Sequence, residues 1–168
     1  MPDQPRRCPS LPFAEPHDLI QELSGAIARD ATDVRARFRR GNAYSNLGEY
    51  ARAIEDMDCV LELEPDNRLA RNNRGMAYLC IGEFESALPD LCLAIELDPE
   101  YRDAYHNRGL AYFELGRLEE AVADLTRAIE IDPGFWSAYR HRGMAYWAMG
   151  DRDASFKDFV TSRELGGG

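Results

Sequence analysis

Apolar residues along this chain return at helical spacing. Over residues 118–131, Leu118, Ala121, Val122, Leu125, Ala128 and Ile129 fall at i, i+3, i+4 and i+7, one stripe of an amphipathic helix. A shorter stripe, Leu19, Ile20, Leu23, Ala26 and Ile27, predicts a helix that starts at Asp18, whose carboxylate can cap it. No segment alternates with the period of 2 that marks a half-buried strand. The pattern therefore predicts an all-α chain.

The helical pattern itself repeats. Gly41, Gly75, Gly109 and Gly143 stand 34 residues apart, inside the strings RRGNAY, NRGMAY, NRGLAY and HRGMAY. Gly48, Gly82, Gly116 and Gly150 follow seven residues after each, and Pro65, Pro99 and Pro133 close the first three units. In the third unit the pattern predicts helix A over about 103–115 and helix B over about 118–131. Gly116 stops the first, because glycine accepts the left-handed conformation just past a helix end. Pro133 stops the second. The predicted organisation is a Pro-rich arm over 1–17, a capping helix over 18–33, and units at 34–67, 68–101, 102–135 and 136–168. A fixed period of this length means stacked copies of one small unit. Pro89 lies about one turn inside helix B of the second unit, which predicts a late start or a bend there.

The repeat resembles the tetratricopeptide repeat. Its signature of a large residue, x₂-L-G-x₂-Y, A-x₃-F and P is matched in the third unit by Tyr105, Gly109, Tyr112, Ala121, Leu125, Ala128 and Pro133. The second unit offers Gly75, Tyr78, Ala87, Leu91, Ala94 and Pro99, and the first Gly41, Tyr44, Ala53, Met57 and Pro65. The fourth keeps Gly143, Tyr146 and Phe159, has Ser155 at a small-residue site and lacks the proline. The resemblance implies a right-handed superhelical solenoid of antiparallel helix pairs. Glycine at unit position 8 and alanine at 20 and 27 mark where helices A and B approach within about 8–10 Å. Leucine in place of Gly109 is expected to overpack that contact.

The family often carries leucine at position 7. This chain has Arg40, Arg74, Arg108 and Arg142, each with an acid 16 residues later at Asp56, Asp90, Asp124 and Asp158. An antiparallel hairpin brings these positions together, which predicts a repeated structural Arg–Asp pair. The alternative is a row of ligand-binding arginines.

The resemblance also implies a concave groove lined by helix A positions 2, 5, 9 and 12. On that basis Phe38, Asn42, Asn72, Asn73, Met76, Leu79, His106, Asn107, Leu110, Phe113, Arg140, Met144 and Trp147 are the candidate peptide-binding residues. Position 12 runs Ser45, Leu79, Phe113, Trp147, so the groove should turn apolar beyond the first unit. Three readings of that stripe stand side by side: a groove for a peptide or helix, self-coverage by the arm or a second copy, and ordinary surface residues. The asparagines either bond a ligand's backbone amides or stand unpartnered on the helix surface. The family's carboxylate clamp for acidic chaperone tails needs Lys at 5 and Asn at 9, Asn at 6 in the next unit, then Lys at 2 and Arg at 6. Asn42 and Asn73 match, whereas Phe38, Asp103 and Asn107 do not, so no clamp activity is expected.

Composition narrows the partner. Net charge is −10; residues 1–40 carry seven Arg against six acids, while 41–168 carry 13 basic and 24 acidic residues. Such an acidic body argues against nucleic acid and anionic membranes as partners. Cys8, Cys59, Cys80 and Cys92 form no CxxC or zinc spacing and read as free thiols in a reducing, cytoplasmic setting, three of them as small apolar helix residues. No cofactor or metal is implied. His17, His106 and His141 come with no accompanying nucleophile, so no catalytic residue is assigned and the chain does not read as an enzyme. The expected function is an interaction module for a protein or peptide; a self-assembling element is the alternative.

Overall fold

The computed structural model describes residues 16–166 and shows nine α-helices and no strand among them. They are α1 (Pro16–Arg29), α2 (Val34–Asn46), α3 (Tyr50–Leu63), α4 (Arg68–Cys80), α5 (Phe84–Leu97), α6 (Arg102–Glu114), α7 (Leu118–Ile131), α8 (Trp136–Met149) and α9 (Arg152–Glu164). The proposed arm lies outside the described residues except at its C-terminal edge. There α1 begins two residues before the expected capping position, and Asp18 sits inside the first turn. Proline is tolerated at such a start because the first N–H groups of a helix have no intrahelical partner.

Local chemistry explains the remaining boundaries. Asp33, Asn67 and Asp151 accept backbone N–H groups of Ala36, Ala70 and Ala154 at the starts of α2, α4 and α9. Gly48, Gly82, Gly116 and Gly150 take φ between 73° and 87°, the left-handed region that lets each chain reverse between paired helices. Pro89 does not delay α5, contrary to the late start expected: the helix begins at Phe84, in register with Tyr50 of α3 and Leu118 of α7. Pro89 stands exposed in the second turn of α5, where its missing N–H removes one intrahelical bond without ending the helix.

Helices pack as sequential neighbours: α2 with α3, α4 with α5, α6 with α7, α8 with α9, and each pair on the next. Helix α1 packs on α2 in the place a preceding B helix would take, through Leu23, Ile27 and Ala36. Small clusters of buried residues, such as Leu125, Ala128, Ile129 and Ala138, link each pair to the following helix. The even-numbered helices α2, α4, α6 and α8 also touch one another along the row, whereas the odd-numbered ones do not. The stack therefore curves with α2, α4, α6 and α8 on its inner face. Among the described residues no helix is long and apolar enough to cross a membrane.

Candidate functional site

The inner face is built on a repeated guanidinium fork. Arg40, Arg74, Arg108 and Arg142 each donate Nε and Nη2 to both carboxylate oxygens of Asp56, Asp90, Asp124 and Asp158, at 2.6–2.9 Å. These aspartates are 2–6% exposed. Hydrogen bonding to the aspartate raises the pKa of every one of these arginines above its ordinary value, so the guanidinium groups stay charged. The third nitrogen, Nη1, reaches back to the preceding helix: to Ser24, Asp58, Cys92 and Thr126 in turn. One arginine thus ties three helices together. The repeated glycine stands beside it, and a methyl group there would come within 2.6–3.2 Å of Met57, Leu91, Leu125 or Phe159.

Across the inner face runs a ladder of side-chain amides. Asn107 donates to Asn72 at 3.0 Å, Asn72 to Asn73 at 3.3 Å, and Asn73 to Asn42 at 2.8 Å. The candidate asparagines are therefore engaged with each other and not unpartnered, and Asn72 is only 5% exposed. The next rung is His106 Nε2 to His141 Nδ1 at 2.9 Å. Ser137 Oγ lies 3.1 Å from the same His106 nitrogen, so a hydroxyl does accompany the histidines. Burial, then the facing His141, pushes His106 down to about 4, and burial likewise lowers His141. At neutral pH both rings are uncharged partners in a hydrogen-bond network. A base this weak is poorly matched to activating a serine near neutral pH.

Beside the ladder lies the apolar stripe. A cleft of about 270 Å³ is lined by Leu79, Cys80, Phe84, Leu110, Phe113, Glu114, His141 and Met144. A second, of about 380 Å³, is lined by Phe113, Met144, Trp147, Ala148 and Phe159. They share Phe113 and Met144. Trp147 is 57% exposed and carries the Arg152 guanidinium 3.4 Å from its ring centre.

Three candidates fall elsewhere. Phe38 packs on the core of Met57, Val60, Leu61 and Ala70, because position 5 of the first pair faces the α3–α4 contact. Met76 is half-buried and lines neither cleft. Arg140 stands exposed on α8. Phe84, Cys80 and Glu114 were not singled out from the sequence; their signal was variation between copies at the end of helix A and the start of helix B. Cys80 is exposed and not a small core residue, since it ends α4 at the cleft mouth. Among the described residues no cluster of three His, Cys, Asp or Glu is arranged to hold a metal ion.

Comparison with known proteins agrees with this architecture. Family models for the tetratricopeptide repeat match residues 34–67, 78–116 and 109–150. A crystal structure of MamA is 30% identical with a TM-score of 0.81, covering 89% of each chain. MamA from Desulfovibrio magneticus RS-1, residues 41 to end, is 28% identical with a TM-score of 0.83, covering 89% of this chain and 85% of that one. The first tetratricopeptide domain of Spaghetti (RPAP3), bound to the HSP90 peptide SRMEEVD, is 31% identical with a TM-score of 0.68, covering 72% of this chain and 96% of that one. A search of curated protein sequences finds no match.

Proposed function

The chain belongs to the tetratricopeptide repeat family, a fold of generally non-catalytic protein-interaction modules, and from that premise we propose that it binds a partner's peptide or helix in the apolar cleft of its inner face. The observation that carries this reading is the pair of joined clefts on α4, α6 and α8. Helices α6 and α8 already bury Ala104, Ala111, Ala138 and Ala145 against their neighbours. The stripe of Leu110, Phe113, Met144 and Trp147 is therefore surplus to folding. The peptide held by the RPAP3 domain is a precedent for such a ligand. The chaperone-tail clamp is not part of the proposal, because Phe38, Asp103 and Asn107 stand where its three cationic groups are needed.

The test is affinity capture from the native lysate with wild type and with Phe113→Ser plus Trp147→Ser. Partners lost only in the variant, with its thermal unfolding retained, are cleft ligands; an unchanged partner set sinks the reading. A second reading rests on α9, where Phe156 is 72% and Phe159 39% exposed. That face suits a second copy of the chain. Light scattering across concentration separates the two, since a strict monomer excludes self-assembly.

A further inference from the structure

The amide and imidazole ladder has a consistent grammar. Position 6 of each A helix reaches back to the A helix before it: Asn73 to Asn42, Asn107 to Asn72, His141 to His106. Position 5 meets the A helix that follows, as Asn72 and His106 do. Two such positions have no neighbouring A helix among the described residues. They are position 6 of the first, which is Arg39, and position 5 of the last, which is Arg140. Both are exposed, and neither has an ion pair or hydrogen bond among the described residues. The uncharged ladder is thus ended by a free guanidinium on each side.

Charge is segregated around this line. The exposed acids Glu55, Glu62, Glu85, Glu96, Glu119, Glu120 and Glu130 sit on α3, α5 and α7, away from the inner row. On the inner row Asp103 is paired with Arg102, which it shares with Asp132. Glu114 alone adjoins the apolar cleft. Arg35, also exposed on α2, lines a separate cleft together with Glu64, which leaves Arg39 as the cation without an acid beside it at that end. The face that carries the apolar stripe is therefore locally cationic at both ends, on a chain whose net charge is −10.

Building on the cleft-binding reading above, we infer that the ligand is a linear acidic segment, with carboxylates near both ends for Arg39 and Arg140 and, inward of them, apolar side chains for the joined clefts that Leu79, Phe113 and Met144 line across α4, α6 and α8. Three steps between neighbouring inner helices, each about 10 Å, set the guanidinium groups roughly 30 Å apart. An extended chain covers that with about nine residues at ~3.3 Å each. The carboxylates come from side chains, so a free C-terminus is not required, which separates this ligand from a clamped chaperone tail. Arginine suits the role, since its planar fork can grip a carboxylate through two bonds.

The test uses the full chain and two fluorescent synthetic peptides of about nine residues. Both have Leu and Phe at the centre and an amidated C-terminus; one carries glutamates at each end, the other lysines. Anisotropy titration should show the glutamate peptide binding at least about tenfold more tightly, and losing affinity as salt rises. Arg39→Glu with Arg140→Glu should remove that preference and favour the lysine peptide, whereas Arg163→Glu on α9 should change nothing. Equal or tighter binding of the lysine peptide by wild type overturns the inference, as does a glutamate peptide indifferent to the double variant or failure of both peptides to bind. If a peptide binds without charge preference and Trp147→Ser abolishes it, the cleft reading survives alone. If binding ignores Trp147→Ser as well, both fall.

Discussion

Gly109 and Gly143 occupy the same place in their helices but not under the same constraint. A methyl on Gly109 would meet Leu125 Cγ at 2.9 Å, and Leu125 is fully buried with no direction to yield. On Gly143 the nearest atoms belong to the Phe159 ring at 3.2 Å, and Phe159 is 39% exposed and can swing outward. Replacing helical glycine by alanine gains about 1 kcal/mol of helix propensity. Overpacking a closed site costs about 1–3 kcal/mol. Gly109→Ala should therefore destabilise on balance, while Gly143→Ala should be near neutral or stabilising. Urea unfolding of both variants checks the order; equal destabilisation contradicts it. The glycines were legible in the sequence because one period carried all four, but the difference between them was not. It depends on which residue faces them, and Leu125 and Phe159 look interchangeable as apolar letters.

At the scale of paired helices, the arginine fork shows where sequence legibility stops. Arg108 and Asp124 repeat with the same period, so their meeting could be read from spacing alone. The third arm of the fork could not, because its acceptors are Ser24, Asp58, Cys92 and Thr126, four chemistries with no common pattern. Removing one partner of such a buried pair strands the other, which costs about 3–5 kcal/mol. A double-mutant cycle with Arg108→Met and Asp124→Leu should give a coupling of roughly 1–3 kcal/mol. Purely additive effects would contradict the pairing. The histidine rung between α6 and α8 gives a second expectation. His106 faces His141 and Ser137 from α8, and Asp103, Arg102 and Asn107 from its own helix and start. Its folded value of about 4 lies below the ordinary 6.5, so the unfolded chain binds the proton more readily. That stability is fully present above pH 6.5 and falls as pH drops toward 4, by about 3 kcal/mol from His106. Guanidinium unfolding between pH 4 and 7 should show this slope, and His106→Asn should flatten it.

Over the whole molecule, stability is a sum of local pairs and their interfaces, and among the described residues the α8–α9 pair has one neighbour fewer. The α8–α9 pair carries further weaknesses. Ser155 is buried with no partner for its hydroxyl where the other pairs have alanine, and Phe156 and Phe159 are incompletely covered. The same pair supplies Met144, Trp147, Ala148 and Phe159 to the cleft, so the least supported helices hold much of the proposed ligand site. Sequence showed this pair as the copy that departs from the repeat and already placed Met144 and Trp147 on the groove. That Ala148 and Phe159 join them in one cleft was not legible, because it depends on how α9 packs on α8. Local opening follows local support, so amide exchange should be faster in α8 and α9 than in α6 and α7. A ligand that binds only the closed form stabilises it by mass action. Adding a cleft ligand should therefore slow exchange most in α8 and α9 and little in α2 and α3. Uniform protection along the stack would mean that the ligand does not engage this end.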